Sequence, residues 1–152
     1  MDIADEPEGL RVRGDKNHLK ATNIKTLPYP GFPTDAQAPI MTLLTTVDGQ
    51  SRINETLFEN RLMHANELNR MGANIRVDGR TAIVPGNQRP LEGASVMATD
   101  LRAGAALVIA GLVATGTTEV TNIYHIERGY EDFVRKLKNL GADIEKDRKS
   151  VV

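Results

Sequence analysis

The chain has 152 residues, 40% of them hydrophobic and 26% charged, enough for one ordinary domain with a sizeable core. Aromatics are only 4%, so that core is aliphatic, and 19 Lys and Arg against 20 Asp and Glu leave no positive excess for nucleic acid or a membrane surface. The absence of cysteine excludes a disulfide framework, a cysteine-ligated metal and a cysteine nucleophile within the chain, and fits a reducing compartment.

The first nine residues are acidic, lack an apolar stretch and do not read as a signal peptide. Asp2-Ile3, an acidic turn and Leu10-Arg11-Val12-Arg13 read as a hairpin. Residues 27–33 hold three prolines, which predict an extended, non-helical path leading rigidly to Thr34-Asp35. That pair opens an apolar helix over 38–46, and a glycine loop and a short extended segment over 52–54 follow. Leu62, Ala65, Leu68 and Met71 are spaced as one apolar helix face, closed by a left-handed cap at Gly72. Strands over 75–77 and 81–84 then flank the turn dipeptide Asp78-Gly79. Residues 84–87 (Val-Pro-Gly-Asn) read as the next break.

The order then recurs. Thr99-Asp100 opens an apolar helix over 103–114, too short for a bilayer span and read as a buried helix of a soluble protein. An extended segment over 119–123 follows, then an amphipathic helix carrying Tyr130, Phe133, Val134, Leu137 and Leu140, then Gly141 as cap and a further extended segment. Thr34, Gly49, Arg61 and Gly72 match Thr99, Gly116, Arg128 and Gly141, at offsets drifting from 65 to 69 residues. Ile3, Ile75 and Ile144 mark the same point in three units. The reading is an α/β (α+β) protein of repeated units. Residues 1–26 are the tail hairpin of a preceding unit with its connecting strand, 27–86 is one unit and 87–152 the next. On this reading the chain is a fragment of a longer protein; a two-unit protein with an added N-terminal hairpin is the alternative.

Three places can carry chemistry. Asp35 starts a helix after a Pro-Gly loop, where a carboxylate is either a plain N-cap or a functional group held in its charged form. Asp100 and Arg102 form either an internal ion pair or a constellation facing a ligand. Arg128, with Arg61 as its counterpart, can grip a phosphate or carboxylate through two parallel hydrogen bonds, or belong to a surface cluster with Glu127. The three histidines show no metal-ligand spacing and read as solvated or packing residues. No phosphate-binding loop or nucleophile elbow is present.

At these same residues the sequence resembles the UDP-N-acetylglucosamine enolpyruvyl transferase family. The resemblance rests on Pro30-Gly31-Phe32-Pro33-Thr34-Asp35-Ala36-Gln37, on Phe58-Glu59-Asn60-Arg61 with Met63-His64, and on Glu67-Leu68 with Arg70-Met71-Gly72-Ala73. It continues through Ala98-Thr99-Asp100-Leu101-Arg102-Ala103 and Tyr124-His125-Ile126-Glu127-Arg128-Gly129-Tyr130. It implies an inside-out α/β barrel of βαβαββ-type units, truncated here, with helices inside, sheets outside and an active site between two such domains. It also implies transfer of enolpyruvyl from phosphoenolpyruvate to the 3-hydroxyl of UDP-N-acetylglucosamine with release of phosphate, the first committed step of peptidoglycan and hence cell-wall synthesis, in the bacterial cytoplasm.

The resemblance further implies that Asp35 accepts the hydroxyl proton and binds the sugar nucleotide. Leu57 makes a backbone contact to the nucleotide, Arg128 holds phosphoenolpyruvate, Asp100 and Arg102 line the cleft near the reacting carbons, and Arg61 is a further active-site arginine. No cofactor, metal, nucleic acid or membrane is implied. The family's acid-bearing loop and its Lys-Asn pair are absent, so the expected partner is the missing N-terminal portion of the same polypeptide and the chain alone is expected to be inactive. 3-Phosphoshikimate 1-carboxyvinyltransferase is the competing enzyme reading, and a non-catalytic repeat module that binds a partner is the competing reading from another class.

Overall fold

The computed structural model describes residues 1–147. The chain starts with the antiparallel hairpin of β1 (Asp2–Glu6) and β2 (Gly9–Arg13), exposed along both strands. β3 (Asn23–Lys25) leads through the proline segment to α1 (Gln37–Leu44), and β4 (Gly49–Asn54) returns parallel to β3. α2 (His64–Arg70) is followed by β5 (Arg76–Asp78) and β6 (Thr81–Gly86), completing a four-stranded sheet in the order β3-β4-β6-β5. The second passage repeats the parallel crossover: β7 (Ser95–Met97), α3 (Leu101–Val113) and β8 (Glu119–Thr121), with β7 and β8 parallel. α4 (Tyr124–Gly129) and α5 (Phe133–Asn139) follow.

The core lies between the sheets and the helices α1, α2 and α3. Alternation on β4 and β6 turns Ile53, Ala82 and Val84 inward, where they meet Met41, Leu44, Leu68, Met71, Leu107 and Ala110 in one continuous aliphatic cluster. The buried run of small residues in the first half of α3 lets neighbours approach closely. The Thr42 hydroxyl of α1 reaches the Ala106 carbonyl at 3.4 Å. A methyl group on Gly104 would lie 2.7 Å from Ile126 Cγ1 of α4. Pro39 sits in the first turn of α1, where its missing N–H costs no helical bond.

Both predicted glycine caps are present: Gly72 and Gly141 have φ of +98° and +95°. The Ala73 N–H returns to the Leu68 carbonyl at 3.1 Å and the Ala142 N–H to that of Leu137 at 3.0 Å, satisfying carbonyls the helices leave open.

Several expectations shift. Residues 27–33 form a turn, closed by Gly31 N–H to the Pro28 carbonyl at 2.8 Å and Leu27 N–H to the Phe32 carbonyl at 3.1 Å, because prolines also favour reversals. The hairpin loop is Gly79-Arg80, since Asp78 pairs directly with Thr81. Pro85 does not break the chain; it lies within β6 opposite Gln50 of β4, beyond the end of β5, where the missing N–H faces no partner strand. The break falls at Asn87, with φ of +53°. The amphipathic helix predicted around 130–140 is α5, which starts only at Phe133, after Asp132 takes a left-handed φ of +49°; Tyr130 lies outside it, at the end of α4. Residues 142–147 form no strand.

Candidate active site

The candidate side chains collect where the crossovers place them, beyond the carboxyl ends of parallel strands and at the amino ends of α1 and α3. The two Thr-Asp pairs behave differently there. Asp100 is a true N-cap: its Oδ1 accepts the N–H groups of Arg102 at 2.8 Å and Ala103 at 3.0 Å. Asp35 is not. A single 3-10 turn (Thr34–Ala36) precedes α1, and backbone carbonyls do the capping: Ala36 N–H bonds the Pro33 carbonyl at 3.1 Å and Gln37 N–H the Thr34 carbonyl. The Asp35 carboxylate is therefore released and projects outward, 70% exposed.

Its partner comes from the other passage of the chain. Arg102 Nε donates to Asp35 Oδ1 at 2.5 Å, and Arg61 Nη1 lies 3.9 Å from the same oxygen. The Asp100–Arg102 ion pair is thus not formed; the carboxylate of Asp100 is occupied by helix N–H groups and the guanidinium turns to Asp35. Asp35 Oδ2 accepts no hydrogen bond among the described residues.

Arg61 is held from several sides. It donates to Thr34 Oγ1 at 3.0 Å and stacks 3.7 Å over the Phe58 ring. Thr34 in turn donates to Glu55, which the sequence reading did not single out. Glu55 is a 1% exposed carboxylate just past β4. It accepts from Thr26 Oγ1 at 2.8 Å, Thr34 Oγ1 at 2.9 Å, Gln37 Nε2 at 3.3 Å, and the N–H groups of Leu57 at 3.1 Å and Phe58 at 3.3 Å. Burial pushes its acidity down, but these donors outweigh burial and hold the carboxyl below the usual range. Glu55 thereby fastens the ends of β3 and β4, the first turn before α1 and the loop at 57–58.

Leu57 sits on that loop, its N–H already committed to Glu55. Arg128, on α4, is exposed, and its side chain makes no hydrogen bond or ion pair among the described residues. The alternative of a cluster between Arg128 and Glu127 is not formed; Glu127 pairs with Lys146. α4 packs on the start of α3: a methyl on Gly129 would lie 3.2 Å from the Leu101 side chain, which puts Arg128 one residue from the helix end that carries Arg102. So Asp35, Arg61, Arg102 and Asp100 are brought together, while Leu57 and Arg128 border the group without touching it.

A small cavity opens beneath the cluster, lined by Thr34, Gln37, Arg61, His64, Asp100 and Arg102. His64, only 2% exposed, forms its floor. Burial holds its imidazole neutral, lowering its pKa to about 4 against the opposing pull of Asp100 and a hydrogen bond to the Arg61 backbone. The other histidines have the bland roles expected: His18 bonds Asp15 at the surface and His125 lies against Tyr124. Among the described residues no helix is long and apolar enough to cross a membrane, and no group of acidic or histidine side chains could hold a metal.

The family model of EPSP synthase (3-phosphoshikimate 1-carboxyvinyltransferase) matches residues 1–137. The chain belongs to this family. Among its curated members the chain is similar to UDP-N-acetylglucosamine 1-carboxyvinyltransferase 2 of Carboxydothermus hydrogenoformans, 60% identical over 144 residues that make up 95% of this chain and 34% of that protein. It is 61% identical to UDP-N-acetylglucosamine 1-carboxyvinyltransferase of Finegoldia magna, over 93% of this chain and 33% of the relative. The chain therefore spans about one third of the length of the curated relatives it matches. Among solved structures, the enolpyruvyl transferase NikO from Streptomyces tendae superposes with a TM-score of 0.76 at 34% identity, over 83% of this chain and 29% of that one. An EPSP synthase from Acinetobacter baumannii superposes with a TM-score of 0.61 at 19% identity over 92% of this chain and 30% of that one, a likeness of fold alone. The enolpyruvyl transferase fold expected from the sequence is thus the fold of this family.

Proposed function

We propose that this chain is part of an enzyme that transfers enolpyruvyl from phosphoenolpyruvate to the 3-hydroxyl of UDP-N-acetylglucosamine and releases phosphate, a bacterial cytoplasmic reaction feeding peptidoglycan synthesis and so cell growth and division. Within it, residues 1–26 are the tail of a preceding unit, 27–86 and 87–152 are two successive units, and the remaining polypeptide supplies the rest of the cleft. The observation that carries the reading is the exposed carboxylate of Asp35, anchored through Oδ1 by Arg102 and near Arg61, with Oδ2 unengaged.

A sugar hydroxyl is a weak nucleophile, and a fixed carboxylate that takes its proton as the oxygen attacks C2 of the enol lowers the barrier. One oxygen held by a guanidinium and one left open is the arrangement such a base needs. Attack at C2 accompanies protonation of the adjacent methylene by an acid from outside this chain. Loss of that proton and cleavage of the C2–O bond then release phosphate and restore the double bond. Arg61, Arg102 and Arg128 offset the substrate charge, and Asp100 lines the cleft beside the reacting carbons. Because the Leu57 N–H is taken by Glu55, its main-chain contact with the nucleotide falls to its carbonyl.

The test is phosphate release by the complete protein. Turnover with UDP-N-acetylglucosamine and none with 3-phosphoshikimate supports the reading; the reverse preference, or turnover with neither, overturns it. The 152-residue chain alone is expected to give no turnover.

A further inference from the structure

The cavity beneath Asp35 carries a chemical demand that the proposed transfer does not explain. Two side-chain atoms facing it, Nε2 of His64 and Oε1 of Gln37, have no hydrogen-bond partner among the described residues, although the two residues are only 2% and 1% exposed. Leaving such an atom bare in a buried site is costly, because its hydration is lost without replacement. Both atoms call for the same thing. Gln37 Oε1 is a carbonyl acceptor, its amide nitrogen already donating to Glu55 and to the Arg61 carbonyl at 3.2 Å. His64 hydrogen-bonds the Arg61 backbone, and with Nε2 unpartnered that bond uses Nδ1. A neutral ring donating from Nδ1 presents a lone pair at Nε2.

Two acceptors thus face one small space that also borders Arg61 and Arg102. The Asp100 carboxylate lines the same space beside the two guanidinium groups, so charge selects neither a cation nor an anion, and the matching occupant is a neutral molecule with two donors. The space for the centre of a water-sized molecule is about 10 Å³, near the minimum that holds a single water. We propose that this cavity is a binding site for one water molecule, which donates one hydrogen to Nε2 of His64 and the other to Oε1 of Gln37. The consequence lies above it. Gln37 and His64 both bond the main chain at Arg61, so the water locks the two supports on which that arginine rests. His64 and Gln37 are positioning residues for Arg61, and the low pKa of His64 agrees with its ring serving as an acceptor at neutral pH.

The test reads the ring nitrogens directly and does not depend on any enzymatic activity. The chain has three histidines, so long-range proton–nitrogen correlation on histidine-labelled protein at pH 7 is assigned with His18→Gln and His125→Gln. The expected result is a single Nδ1–H tautomer of His64, with the Nε2 resonance displaced from the free-imine position toward that of a hydrogen-bonded acceptor. Gln37→Leu, which removes one anchor of the water, is expected to move Nε2 back toward the free position. A crystal structure is expected to show density within hydrogen-bonding distance of both atoms. A His64 ring protonated at Nε2, an Nε2 resonance at the free-imine position in the unsubstituted chain, or a refined site without that density would overturn the proposal. Each of these outcomes is read on the unsubstituted chain, so a variant that fails to fold does not spare it.

Discussion

Asp35 and Arg102 meet across 67 residues of chain, with Oδ1 and Nε 2.5 Å apart. One contributes from the turn before α1 and the other from the first turn of α3, so the contact joins the two passages of the repeated crossover at the amino ends of their helices. It is a partly exposed pair, and such pairs contribute about 0–1 kcal/mol to stability. Its role is geometric: it fixes one carboxylate oxygen. Arg102→Lys, which keeps the charge but loses the planar fork, is therefore expected to leave the unfolding free energy within about 1 kcal/mol. In the complete protein it is expected to lower kcat by at least tenfold. Denaturant titration beside phosphate-release kinetics checks both, and a large stability loss with unchanged kcat would refute the assignment.

The two Thr-Asp pairs make a second prediction. Asp100 caps α3 through two backbone N–H groups, whereas Asp35 caps nothing. Asp100→Ala is expected to cost about 0.5–2 kcal/mol of stability, and Asp35→Ala to stay within about 0.5 kcal/mol. Urea unfolding of the two variants side by side decides it; equal losses would mean that both aspartates do the same job.

Glu55 should be the most sensitive polar position in the chain. Glu55→Ala strands the donors of Thr26, Thr34, Gln37, Leu57 and Phe58 around a buried gap. Losing one side of such a buried charged network costs about 3–5 kcal/mol. Thermal unfolding followed by circular dichroism is expected to show this loss, and a change within the error of the wild-type midpoint would contradict the fastening role.

How much of this was legible in the sequence follows from where each signal resides. The apolar spacing of α2, the apolar run of α3, both glycine caps and the recurrence of landmarks are local or periodic, and they led to the right fold class; the family came from the resemblance carried by stretches such as Thr99-Asp100-Leu101-Arg102 and residues 124–130. The site aspartates and arginines were legible as residues, but not as a constellation. Which carboxylate caps its helix depends on the 3-10 turn at Thr34–Ala36, and no single residue there signals it. Glu55 gave no signal because a glutamate between Asn54 and Thr56 looks like any solvated loop residue. Its burial is decided by Thr26 and Thr34, 29 and 21 residues away. The helix predicted around 130–140 starts later than its spacing implies for a related reason: the left-handed turn at Asp132 is a backbone choice that apolar spacing cannot report.

Buried His64 gives the chain an acid dependence with a definite sign. Its pKa is 6.5 when unfolded and about 4 when folded, so between those values the unfolded state binds more protons and stability falls as pH falls. At about 1.4 kcal/mol per unit the loss across that window is on the order of 3 kcal/mol. Glu55, with its folded pKa lowered, adds a further loss as pH drops below 4.5. His64→Gln is expected to flatten the slope between pH 6.5 and 4 while leaving the steeper loss below it. Urea midpoints taken across that range check it, and an unchanged slope would show that another group titrates.

The central claim is that Asp35 takes the proton of the attacking hydroxyl, and Asp35→Asn in the complete protein tests it most directly. The amide keeps the shape of the side chain but cannot accept the proton. With phosphate release from phosphoenolpyruvate and UDP-N-acetylglucosamine as the readout, kcat is expected to fall by about 10²- to 10⁴-fold, the usual contribution of a positioned base. The unfolding midpoint should stay essentially unchanged. A variant that retains kcat within a few-fold of the unsubstituted protein would contradict the claim.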